Sequence, residues 1–172
     1  DGSWKGGGWA PVLQSSLAGQ ALEIAQAAGK KVDQECLDRA RKNQKDNFDL
    51  SSGKVRSDKA AGVELYAFAG AQRANAAETW EANDLVNRAK NEGKLDGDAK
   101  PTADNLRRIG VDKEKSEQLG QAVVQNEQQE KRVQNDEALL TGFGNNGGEE
   151  YLSYLMTSES LVITGGKAWK QW

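Results

Sequence analysis

The hydrophobic pattern of residues 11–29 predicts a long helix that is apolar on more than one side. Its apolar residues cover more than one stripe of the helix surface: Val12, Leu13, Leu17, Ala18, Ala21, Leu22, Ile24, Ala25 and Ala28. Pro11 suits the first turn of this helix, because its missing N–H would have no helical partner there. A helix that is apolar on more than one side is expected to be buried between layers.

The next segment predicts a helix with one narrow apolar stripe. Asp33 is a good N-cap, and Val32 and Leu37 are placed for a hydrophobic staple. Only Cys36, Leu37 and Ala40 form an apolar face, so we expect an outer helix with one buried side. A free cysteine on such a stripe favours a small packed hydrophobe over a nucleophile.

The same alternation of wide and narrow stripes recurs further along the chain. Residues 60–77 again carry apolar side chains on several sides, whereas residues 79–91 carry one narrow stripe that ends at Gly93. The residues themselves are also similar, since Leu-Ala-Gly at 17–19 corresponds to Phe-Ala-Gly at 68–70. A repeat of roughly 50 residues built from two helices predicts a stacked or closed helical array.

The remaining segments predict four more helices. A short helix at 102–109 is capped by Thr102 and is followed by a long polar helix at 112–137 with a thin apolar seam. Residues 149–163 form a third helix that is apolar on more than one side, and 167–172 begin a last helix. The pattern thus gives three inner helices in one domain.

Two glycine-rich segments, at 4–9 and 142–148, predict turns that carry aromatic residues. Neither ends in the Lys-Ser or Lys-Thr pair of a phosphate-binding loop, and neither follows a predicted strand. We therefore interpret both as backbone turns.

Composition excludes several classes of function. The net charge is −3, and Lys and Arg are interspersed with Asp and Glu, so the chain has no basic face for a nucleic acid. No apolar run approaches the roughly 20 residues of a membrane span. Asp1 opens inside a turn motif without an initiator Met, so we expect a fragment of a longer chain.

The absence of histidine removes the usual general base near neutral pH. It also excludes Ser-His and Cys-His nucleophile systems within this chain. Asp96, Asp98 and Asp104 lack the spacing, the glycine and the final Glu of an EF-hand loop. The sequence therefore predicts neither a metal nor any other cofactor.

The string DGSWKGGGW, together with the alternation of wide and narrow helices, resembles the α/α-toroid proteins. These include squalene-hopene cyclases, protein prenyltransferase β subunits and complement-type thioester domains. The likeness is strongest in residues 1–44 and is closest to a bacterial branch that lacks the catalytic motifs. It implies an all-α fold, a partial α/α-toroid of about three helical hairpins, and favours a secreted or periplasmic location.

The catalytic motifs of these families do not occur here. The Asp-x-Asp-Asp signature of the cyclases has no match, since the nearest strings are residues 46–49 and 96–98. The prenyltransferase zinc site needs a His, and the thioester motif Gly-Cys-Gly-Glu-Gln does not surround Cys36.

The resemblance therefore implies a non-catalytic structural or interaction module that acts as a subunit or scaffold with other protein chains. Two alternatives stay open. The first is a protein that binds an apolar, isoprenoid-like ligand with aromatic residues of the inner helices: Tyr66, Phe68, Tyr151 and Tyr154. These side chains could equally pack between helix layers. The second is the non-catalytic part of a cyclase- or prenyltransferase-like enzyme.

Overall fold

The computed structural model describes residues 2–4, 11–49, 51–52, 54–55, 64–137, 139 and 149–172. In these residues the chain forms seven helices and one short two-stranded hairpin. The elements are α1 (Pro11–Ala27), α2 (Gln34–Lys45), β1 (Phe48–Asp49), β2 (Lys54–Val55), α3 (Glu64–Asn91), α4 (Ala103–Arg108), α5 (Lys113–Asn135), α6 (Glu149–Thr164) and α7 (Gly166–Gln171). The strands are antiparallel, with Phe48 opposite Val55. The predicted all-α class is confirmed.

Helix α3 lies at the centre of the fold. It has 28 residues, which corresponds to about 42 Å, and it contacts α1, α2, α5 and α6. Every residue from Leu65 to Gln72 is buried. Small residues let the surrounding helices approach α3 closely: Ala67, Ala69, Gly70, Ala71, Ala74 and Ala76.

Two apolar cores pack against opposite ends of α3. The first contains Phe68, stacked edge-on against Phe48 with ring centroids 6.4 Å apart. The second contains Val86 together with Leu106 of α4 and Leu119 of α5. Burial of these side chains supplies the main favourable term in folding.

Between the cores α3 carries buried polar residues, which we call the polar belt: Gln72, Asn75, Glu78 and Thr79. Asn75 donates from Nδ2 to Gln129 Oε1 of α5 at 2.9 Å. Glu78 accepts hydrogen bonds from Lys45 Nζ of α2 at 2.5 Å and from Gln118 Nε2 of α5 at 2.7 Å. Burying a carboxylate is costly unless it is paired, so these contacts offset the cost of placing Glu78 here.

The predicted break between residues 60–77 and 79–91 is wrong, because Glu64–Asn91 is one continuous helix. Residues 60–63 lie outside the described part of the chain. Glu78 and Thr79, at the predicted break, belong to the polar belt, and α2 and α5 bind side chains of that belt. The second predicted hairpin is therefore not formed, and the toroid arrangement is not confirmed.

The prediction that α1 is buried on more than one side is also wrong. Its buried residues are Ser15 and Ser16, whereas Leu17 and Ile24 are exposed. Polar contacts hold the inward side of α1: Ser16 Oγ donates to Gln44 Oε1 at 2.7 Å. Val12 packs against the first core, whereas Leu17, Ala21 and Ile24 face outward.

A single carboxylate joins α1 to two other helices. Glu23 of α1 accepts hydrogen bonds from Arg41 Nε of α2 at 2.9 Å and from Arg73 Nε of α3 at 3.1 Å. The three side chains are at most 15% exposed. Because both cations bind the same anion, this cluster fixes the positions of three helices relative to one another.

Several predicted helix ends are confirmed. Helix α1 begins at Pro11, and α2 is capped by Asp33, whose side chain accepts from the Cys36 N–H at 3.0 Å. Thr102 caps α4 in the same way. Gly93 follows the end of α3 with a φ of 69°, a conformation that costs glycine little.

We expect Gly70→Ala to destabilise the protein by about 1–3 kcal/mol in urea unfolding. A Cβ at Gly70 would overlap Ser16 Oγ and Gln44 Oε1, so their hydrogen bond would have to break. The control is Gly19→Ala, whose Cβ would meet only Ala40 Cβ at 3.8 Å. This control should gain up to about 1 kcal/mol from helix propensity. Equal stability of the two variants would contradict the close packing of α1 on α3.

We expect Glu23→Gln to lower the free energy of unfolding by about 2–3 kcal/mol, because two mostly buried arginines lose their anion. The control is Glu35→Gln, which removes an exposed ion pair with Arg39. Such pairs contribute less than about 1 kcal/mol. Thermal or urea unfolding measures both variants, and a Glu23→Gln effect no larger than that of the control would refute the role of Glu23.

Candidate functional site

Helix α1 exposes an apolar stripe along its outer side. Leu17 and Ile24 are 43% and 57% exposed, and Ala21 and Ala28 are also exposed. These four residues lie three or four positions apart, so they share one face of the α-helix and of the turn after it. None of them is charged.

Helix α6 exposes a second apolar stripe. Tyr151, Leu155 and Val162 are exposed at helical spacing, and Tyr151 is the most open at 77%. Tyr154 is exposed beside them and lies against Trp172 after α7, with ring centroids 5.7 Å apart.

Helices α1 and α6 touch through one pair of side chains. Gln20 Nε2 of α1 donates to Glu159 Oε2 of α6, so the two helices meet at this point. Gln20 lies one turn before Ile24, and Glu159 lies one turn after Leu155. We call the combined surface the apolar face: Leu17, Ala21, Ile24, Ala28, Tyr151, Tyr154, Leu155 and Val162.

A groove of about 920 Å³ lies between α2 and α5, and we call it the α2–α5 groove. Phe48 and Asp49 of β1 also line it. Lys45 and Gln118, which bind the buried Glu78, belong to its walls. The groove therefore adjoins the polar belt.

Acidic side chains outnumber basic ones in the groove. Five carboxylates line it: Asp38, Asp46, Asp49, Glu114 and Glu117. Three cations also line it, and each already has a carboxylate within 4.0 Å: Arg39 has Glu35, Lys42 has Asp46 and Lys45 has Glu78. Glu117 is paired with Arg107 at 3.7 Å. The remaining carboxylates make the groove an anionic surface.

The turn between the strands keeps one of these carboxylates ionised. The Ser51 hydroxyl and the Ser51 N–H both donate to Asp49 Oδ1, at 2.7 and 2.8 Å. These hydrogen bonds, the hydroxyl first, lower the pKa of Asp49 below its ordinary value because they favour the charged form. Asp49 is thus an anion across the neutral range.

The structure separates the four aromatic residues that were predicted to line an apolar ligand site. Tyr66 and Phe68 are buried in α3, and Arg132 lies over the Phe68 ring at 5.5 Å. Tyr151 and Tyr154 lie on the exposed side of α6. None of the four lines the α2–α5 groove. Binding of an apolar ligand by these residues stays a prediction.

Other predictions about chemistry fall on described residues. Cys36 is partly buried, and its thiol is free. No group of three or more His, Cys, Asp or Glu side chains is placed to hold a metal ion within the described ranges. Across those same ranges, no helix combines the length and the hydropathy that crossing a bilayer requires. The glycine-rich turns at 5–9 and 142–148 lie outside the described residues.

Sequence reasoning missed both surfaces. The apolar residues of α1 were identified, but they were assigned to the interior. The groove carboxylates come from α2, β1 and α5, and no sequence spacing links them. The one available signal was the polar turn around Asp49, where Asp and Ser alternate with the apolar Phe48 and Leu50.

No protein family, no curated protein and no solved structure matches this chain. The resemblance to the α/α-toroid proteins therefore stays a prediction from the sequence.

We expect Ser51→Ala to raise the pKa of Asp49 toward its ordinary value, because the hydroxyl bond is the largest cause of the shift. The folded pKa is depressed, so Asp49 adds stability above its unfolded pKa and loses that contribution as pH falls through the folded pKa. NMR titration of the Asp49 carboxyl carbon measures the shift. An unchanged titration in the variant would show that the hydroxyl bond does not hold the anion.

Proposed function

We propose that this chain is a non-catalytic interaction module that binds an amphipathic helix of another protein chain on the apolar face. The observation that carries the proposal is the exposure of large apolar side chains on two neighbouring helices. Contiguous exposed apolar surface is characteristic of interaction sites.

The spacing of the apolar face favours a helical partner. Its residues recur at three- and four-residue intervals on α1, and on α6 Tyr151, Leu155 and Val162 lie four and seven positions apart, so each helix presents one series of apolar side chains. A helix recognises such a surface by placing its own residues at i, i+3, i+4 and i+7 between them. The polar groups at the junction, Gln20 and Glu159, bind each other, and the stripe residues beside them are uncharged.

A protein partner fits the apolar face better than a small apolar molecule does. Small-molecule sites enclose most of the ligand surface, whereas Tyr151 and Leu155 are more than half exposed. We further propose that the partner helix extends a toroid-like array, as the resemblance to the α/α-toroid proteins implies.

The test uses photo-cross-linking in cells that produce the protein. A benzophenone amino acid replaces Ile24 or Leu155 on the apolar face, or Val124, which is 46% exposed on α5. We expect cross-links to one partner chain from Ile24 and Leu155 but not from Val124. The partner is then purified and its binding measured directly. Equal cross-linking from all three positions, or none from the apolar face, would remove the proposal.

We expect Ile24→Gln to weaken binding of the purified partner about 10- to 100-fold, because a buried Ile side chain contributes about 1.5–3 kcal/mol. Val124→Gln is the matched control and should leave the affinity unchanged, since its side chain lies outside the apolar face. Surface plasmon resonance with the immobilised partner measures both variants. An affinity loss of the same size in the control would indicate a general effect on the fold.

A further inference from the structure

We infer that the α2–α5 groove binds alkylammonium groups, as carried by linear polyamines. This site is separate from the apolar face and does not depend on the proposed function. The inference rests on two independent features of the groove, which are its excess of carboxylates and an unpartnered buried carbonyl.

The first feature is uncompensated negative charge on three different elements. Among the described residues, Asp38, Asp49 and Glu114 have no ion-pair partner within 4.0 Å, although all three line the groove. They come from α2, β1 and α5, so the fold brings them to the walls of one groove. A cationic ligand in the groove would be attracted by this uncompensated charge.

The second feature is the side chain of Gln125. This residue lines the groove but is only 4% exposed, and its Oε1 has no hydrogen-bond partner in the described part of the chain. A buried carbonyl without a donor is costly, and the cost is recovered when a donor binds. An ammonium group carries three donors and no acceptor, which matches a site of carboxylates and a carbonyl.

The groove itself shows that an ammonium is accommodated at this depth. Lys45, which lines the groove, places its Nζ 2.5 Å from Glu78 Oε2, and the Glu78 side chain is fully buried. Lys45 neutralises Glu78, whereas Asp49 and Gln125 Oε1 have no cationic partner among the described residues. Metal binding is less suited to the groove, since its carboxylates lie along the groove and no three described ones are grouped closely enough to hold an ion.

The dimensions favour a long ligand with more than one ammonium group. Glu114 and Gln125 are eleven positions apart on α5, which corresponds to about 16 Å along the helix. The volume of about 920 Å³ falls at the upper end of the range of small-molecule sites. An extended alkyl chain with an ammonium at each end can reach both regions, whereas a single small amine reaches one.

The experiment is isothermal titration calorimetry of the whole chain with two probes, spermidine and an acetylated tri-lysine amide. We expect saturable 1:1 binding. The affinity should fall as salt is raised from 20 to 200 mM, because salt screens the attraction between the ammonium groups and the carboxylates. If spermidine binds more tightly, the inference is supported and the ligand is a free polyamine. If the peptide binds more tightly, the inference is supported and the ammonium groups come from lysine side chains of a partner protein. Saturable binding of neither probe overturns the inference.

Three variants locate the binding. Gln125→Met keeps the size of the side chain but removes the carbonyl. Asp49→Asn removes one negative charge from the groove, in the short strand β1. Each should lower the affinity for the tighter-binding probe about tenfold, which is the effect of losing one hydrogen bond to a charged group. Asp98→Asn, in an exposed loop outside the groove, is the control and should change little. If all three variants weaken binding equally, the probe binds general surface charge and the inference fails. Asp49→Asn keeps the test valid if Gln125→Met does not fold.

Discussion

The buried carboxylate of Glu78 is the constraint on which the arrangement of the central helices depends. Its side chain has no exposed surface, and it is bound by Lys45 of α2 and Gln118 of α5. Because an unpaired charge inside a protein costs several kcal/mol, α2 and α5 must both reach α3 at this position. The same two side chains line the α2–α5 groove, so the requirement to neutralise Glu78 also shapes that groove.

The apolar face has a related origin in the way α1 is held. The inward side of α1 is bound through polar groups, with Ser16 bonded to Gln44 and Glu23 bonded to Arg41 and Arg73. Because these polar contacts occupy much of the inward side, one apolar stripe of α1 lies on the outside, although Val12 still packs against the first core. Leu17 and Ile24 are therefore exposed without a partner in the described structure, and this inversion of the usual amphipathic pattern is what points to a binding surface.

The two proposed binding surfaces would select different partners because their chemistry differs. The apolar face has no charge at its stripe positions, so its binding depends on removing apolar area from water and changes little with salt. The α2–α5 groove presents Asp38, Asp49 and Glu114, so its binding is electrostatic and is screened by salt. Under the two proposals, a partner chain would hold the apolar face while the groove binds a small cation at a separate site.

The sequence by itself determined the helical class and many of the helix ends. Pro11, Asp33 and Thr102 fixed the starts of helices because a cap depends only on residues a few positions away. Only the tertiary structure decided that α3 continues through its polar residues and that one apolar stripe of α1 lies on the outside. Both outcomes depend on hydrogen bonds and ion pairs from distant helices, and those partners are not visible in local periodicity. The groove was undetectable for the same reason, since its side chains meet only after α2, β1 and α5 have packed around α3.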